Sequence, residues 1–282
     1  MKHIISAAAL LVCAAGASAA PAYSNLPGTG DAYVSGLPNP GGTQALTNAP
    51  GWYYNNVRNA GSVGINVVNP RSGNGSASFI STNGNDKADI EYYEGAAVGS
   101  ATAIMGRLGD VTSAGFDWIR NSGQQNQHAS MRLLIDADGD MTTTNDRGAL
   151  IFEHAYNGPN VADGVWTTES LVGASVLWQS AVGLGTHDTF PNFQPLSVWG
   201  SPSGYMPTDG GRLFNANSAI YGLSLGVGSG FNVPFVGAVD NVYITFGSGY
   251  SLNANFEVVP SPAAAGLLGL GALAAARRRR SI

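Results

Sequence analysis

The chain is predicted to be all-β, with two sheets packed as a sandwich. Three observations carry this. From Trp52 onward, short runs alternate apolar and polar residues with period two, and Gly, Asn, Asp and Pro turns separate them at intervals of about 8 to 12 residues. Helical periodicity is almost absent, apart from a turn at 170–179. No internal repeat of fixed period is visible.

In chain order, residues 21–50 are rich in Pro, Gly, Asn and Thr with isolated apolar positions and are read as an extended segment or linker. The sandwich domain spans 51–257. Its strands are placed at 63–68, 76–81, 87–94, 113–120, 130–135, 149–154, 164–169, 196–200, 219–227, 236–246 and 250–258. The roughly 240 residues left between the two ends suffice for one large or two small domains.

Both ends read as addresses. Lys2 and His3 precede an apolar stretch from Ile4 to Ala17, and Ala17-Ser18-Ala19 supplies the small-x-small pattern of a secretory signal, so residues 1–20 are expected to be removed. Residues 258–282 form a second device. After Pro260 and Pro262, which prevent a strand from running on into a helix, comes a run of only Ala, Gly and Leu from Ala263 to Ala276, then Arg277, Arg278, Arg279 and Arg280. As a helix this run would rise about 21 Å, short of the roughly 30 Å hydrocarbon core. The arginines hold their end on the cytoplasmic side and place the body across the membrane.

This tail resembles the PEP-CTERM sorting signal of bacterial exported proteins, in which a short Pro-containing motif precedes an apolar helix and an Arg cluster. The family's Val-Pro-Glu-Pro stands here as Val259-Pro260-Ser261-Pro262, with serine in place of glutamate. The resemblance implies an exosortase-like processing enzyme as partner, transient insertion of the C-terminal helix into the inner membrane, and a final location at the cell surface or in the extracellular matrix.

Composition narrows the function. Cys13 is the only cysteine and lies in the signal, so the mature chain has no disulfide and no thiol nucleophile. Lys2 and the four tail arginines account for five of the 13 basic residues, leaving 8 against 18 acidic ones in the body, a net of about −10. Such a body lacks the clustered Lys and Arg that phosphate binding needs, which excludes nucleic acid as a partner. An acidic, charge-poor, Gly- and Asn-rich surface suits uncharged polymers and divalent cations.

Within the body, Trp52, the stretch Arg71-Ser72-Gly73-Asn74-Gly75-Ser76 and Val239-Asp240-Asn241-Val242-Tyr243-Ile244 resemble segments of jelly-roll carbohydrate-binding modules. The resemblance implies a jelly-roll-like sandwich and, at Asp240, an aspartate for structural calcium. A second calcium candidate is read from the residues. Asp136, Asp138 and Asp140 alternate on a Gly-containing loop, with Asp146 and Thr142 to complete a shell of hard oxygens. The loop departs from an EF-hand because Gly139 is fourth and Arg147 twelfth, and an acidic hairpin loop explains the same residues. For glycan stacking, the adjacent Trp52, Tyr53 and Tyr54 must point to both faces of a strand, so at least one is expected in solvent.

Enzymatic patterns are incomplete. Gly222-Leu223-Ser224-Leu225-Gly226 matches a nucleophile elbow in letters, but no helix follows, and His128, His154 and His187 have no triad or zinc spacing. Lys87-Ala88-Asp89-Ile90-Glu91 resembles the Glu-x-Asp-x-Glu strand of laminarinase-type glycoside hydrolases, with lysine where the nucleophile belongs. The expectation is therefore a non-enzymatic, structural or adhesive surface protein that binds exopolysaccharide with calcium stabilisation. The alternative is a glycan-active hydrolase or lyase on a lectin-like sandwich.

Overall fold

The structure is a computed structural model that describes residues 24–28, 30, 32–47, 49–95, 98, 101–228 and 233–258. The expected signal peptide, Val259-Pro260-Ser261-Pro262, the apolar run and the four arginines lie outside the described residues. Among the described residues, no helix is long and apolar enough to cross a membrane.

Two sheets form a sandwich, as the alternation requires. The seven-stranded sheet is built on Phe235–Phe246, which pairs along one side with Val111–Ser122 and along the other with Ser76–Ser81 and Ser251–Val258. The ten-stranded sheet runs in the order Gly185–His187, Val176–Ala181, Arg147–Phe152, Ser130–Asp136, Ala219–Val227, Lys87–Tyr93, Trp52–Arg58 and Gly42–Ala45. Pairing is antiparallel except at one edge, where Ser24–Gly28 runs parallel to Ser251–Val258.

Period-two patterning decides which side chains meet between the sheets. Ile65, Phe79, Phe116, Trp118, Ile244 and Phe256 come from the smaller sheet. Trp52, Ile90, Leu133, Phe152, Leu177 and Leu225 come from the larger one, and all join one buried core. Every residue of Ala219–Val227 is buried, because this central strand is covered on both faces.

Three expectations are corrected. Where residues 21–50 are described they are extended, but they belong to the sandwich and do not stand outside it as a linker, since Ser24–Gly28 and Gly42–Ala45 are strands of the two sheets and Tyr33 bridges Val63. Pro27 fits there because an edge strand needs no donor from every residue. Residues 196–200 form the helical turn Leu196–Trp199 instead of a strand. Pro195 opens it, Gly200 closes it, and the i,i+3 spacing brings both Leu196 and Trp199 to the core, where Trp199 Nε1 donates to Leu177 O at 3.2 Å. Conversely, the turn expected at 170–179 gives way at Gly173 (φ +81°) to the strand Val176–Ala181, with Leu177 towards the core and Trp178 on the opposite face.

Candidate functional site

The outer face of the ten-stranded sheet carries a polar lattice that strand register sets side by side. One cross-strand row reads Tyr53, Glu91, Ser224, Arg132, Ile151, Trp178, and the next reads Asn55, Asp89, Gly226, Ser130. Gly226 leaves room that no side chain could share, because a Cβ there would lie 2.2 Å from Asp89 Oδ1.

Asp89 is wholly buried and holds two cations, Arg132 Nη1 at 2.8 Å and Lys87 Nζ at 3.1 Å. Arg132 Nη1 also donates to Ser224 Oγ at 3.0 Å. Glu91 accepts hydrogen bonds from Asn55 Nδ2 and Tyr93 Oη on one oxygen. Burial, and then the Asp89 charge, push the Glu91 carboxyl above its usual range. Burial pulls the Lys87 ammonium down against the attraction of Asp89.

Beside this lattice a groove of about 670 Å³ crosses the sheet from Lys87 to Thr186. Small residues, Gly226, Ser130, Ala149 and Ser180, make its floor. Glu153, Tyr156, Trp178 and Asp188 line it towards the 176–187 strands. Trp178 Nε1 donates to Glu153 Oε2 at 3.1 Å, and burial raises the Glu153 carboxyl. Tyr156 is 50% exposed and packs on Phe193 with ring centroids 4.5 Å apart. Two histidines secure this wall. His128 Nε2 accepts from Ala155 N at 3.2 Å and its Nδ1 faces Ala129 O, which fixes the neutral Nδ1–H tautomer. Burial, the leading cause, lowers its pKa to about 4. His154 bridges Glu169 Oε1, 2.5 Å from its Nδ1, and Pro159 O, 2.7 Å from its Nε2.

The sequence candidates fall in other places. Trp52 and Tyr54 are corrected from a glycan platform to core residues, 2% and 6% exposed, because their parity points inward. Trp52 packs on Tyr92 and Phe256, and Tyr54 Oη receives Ile65 N. Tyr53 alone reaches the outer face, half-buried against Tyr93. Ser224 sits mid-strand with Arg132 Nη1 donating to its Oγ, and among the described residues no histidine hydrogen-bonds to it.

Of the metal candidates, Asp136, Asp138 and Asp146 bring ligand oxygens within 4.8 Å of one another. Asp140 is not in that cluster. Its Oδ1 closes a local turn onto Thr142 N and Oγ1, bonds that hold the carboxyl below its usual range. Asp136 is already matched by Arg147 Nε at 3.3 Å. Asp240 lies apart, and its two oxygens accept Phe256 N at 2.8 Å and Ser72 N at 3.3 Å. Those amide donors turn positive partial charge on the carboxylate, so it anchors the 70–75 loop where a calcium ligand was expected. Burial raises its pKa to about 6 against the pull of the amides.

The groove residues Arg132, Glu153, Tyr156 and Trp178 were not singled out by sequence reasoning. The one available signal is parity, since Met131, Leu133 and Ile135 enter the core and so leave Arg132 on the outer face. The chain matches no protein family and no curated protein.

Proposed function

We propose that this is an exported, jelly-roll-like adhesive or matrix protein that holds exopolysaccharide in the groove of its ten-stranded sheet, without cleaving it. The single observation that carries the reading is the groove itself, an open trough with a small-residue floor, hydrogen-bonding walls and a half-exposed tyrosine. Sugar rings present apolar C–H faces to such an aromatic and hydroxyls to such walls. The nearby Lys87 is tied to Asp89, Glu91 is held by Asn55 and Tyr93, and lysine cannot form a glycosyl ester, which favours binding over retaining hydrolysis.

Secretory export and exosortase sorting rest on the two terminal segments. Calcium stabilisation rests on the three converging carboxylates of the 136–146 loop, whose charge is partly offset by Arg147.

Retention of the mature protein on insoluble matrix polysaccharide tests the function. Wild type is expected to be retained, a Tyr156→Ala variant to be washed off, and no reducing sugar to be released. Release of reducing sugar would replace the adhesive reading with the enzymatic one, and failure to be retained on any polysaccharide would reject glycan binding.

A further inference from the structure

We propose that the groove contains an ammonium subsite formed by Glu153, Asp188 and Tyr156, and that its ligand is an amino-sugar polymer bearing free amines. The inference rests on the glycan reading above and adds the class of sugar.

Charge distribution in the groove is the first support. Its two cations are committed, since Lys87 and Arg132 share Asp89 at 3.1 and 2.8 Å and Arg132 also holds Ser224. Arg132 feels Glu153 only through space. The carboxylates are not committed in this way. Glu153 receives a single hydrogen bond, from Trp178 Nε1, and the exposed Asp188 side chain makes no hydrogen bond or ion pair among the described residues. A uronic acid polymer would meet two open carboxylates and no available cation, whereas a protonated amine would meet partners.

The second support is the aromatic wall. Tyr156 lines the same groove as the two acids, and burial and then the charges of Glu153 and Asp188 raise its phenol above the usual range. Its ring, backed by Phe193 at 4.5 Å, offers a π face to a cation, and the acids offer charge-assisted acceptors. An aromatic that shares a groove with two carboxylates suits an ammonium joined to an apolar ring face, which is what a deacetylated hexosamine presents.

The test is calorimetric titration of the mature protein at about pH 6, where a sugar amine is largely charged, in low salt. The probes are tetramers of glucosamine, N-acetylglucosamine and a uronic acid, and a tetralysine peptide. The glucosamine tetramer is expected to bind at least about tenfold tighter than its acetylated counterpart, and the uronate tetramer not at all. In a Glu153→Gln, Asp188→Asn double variant that preference should fall below about threefold. Asp188→Asn alone, at an exposed position that folding tolerates, should lower it measurably. A uronate preference, or a glucosamine preference untouched by either variant, would overturn the subsite and leave glycan binding standing. Tetralysine binding as tightly as the amino sugar would overturn the polymer class. Failure of every sugar to bind would reject the glycan reading itself.

Discussion

Trp52 and Tyr156 show how one residue's direction decides its role. Trp52 lies against Tyr92 and Phe256 in the core, so Trp52→Ala should destabilise the fold by about 3 to 5 kcal/mol, read as a lower denaturation midpoint. Tyr156→Ala removes a half-exposed ring and should leave the midpoint nearly unchanged while weakening polysaccharide retention about tenfold. Asp240 makes a prediction in pH. Its folded pKa of about 6 lies above the ordinary aspartate value of 3.8, so between these values the folded state binds a proton that the unfolded state has lost. Stability from this group is present at low pH and is lost as pH rises through about 6, a change of up to about 3 kcal/mol. Thermal melts from about pH 4 to 7 should therefore show the gap between wild type and Asp240→Asn closing as pH rises.

At the scale of elements, the 136–146 loop and the sheet lattice each make a prediction. A calcium site with three carboxylates and a competing Arg147 belongs with weak extracellular sites, whose dissociation constants are about 10⁻⁴ to 10⁻³ M. About 5 mM calcium should then stabilise the protein by about 1 to 2 kcal/mol, and a melting midpoint that ignores both calcium and chelator would dismiss the site. Gly226→Ala places a methyl against Asp89 Oδ1 and should cost about 1 to 3 kcal/mol as the Asp89–Arg132 pair is forced apart. The sequence already marked most strands, and 76–81 and 219–227 end where alternation said they would. It misread 196–200, where Leu196-Ser197-Val198 alternates as a strand would but Leu196 and Trp199 enter the core together from one helical turn, and the pairing of 24–28, which depends on a partner more than 200 residues away. The groove was illegible for the same reason. Lys87, Ser130, Glu153 and Trp178 line one groove only after five strands have taken their register, and no local spacing encodes that.

At the scale of the whole molecule, a cysteine-free sandwich gains its cohesion from a continuous core between two large sheets, and its acidic body offers a polymer the open trough of the ten-stranded sheet. The proposed export would bring that trough to the matrix. Cell fractionation should find the mature body outside the cytoplasm, lacking residues 1–20, and an intact chain in the cytosol would contradict the proposed route. The central claim is that sugar lies in the groove. The most direct test is a crystal structure of the mature protein with a bound oligosaccharide. The account predicts sugar rings against Tyr156 and above the Gly226, Ser130, Ala149 and Ser180 floor. Rings bound instead beside Tyr53, on the outer face of the seven-stranded sheet, or nowhere on the molecule would contradict it.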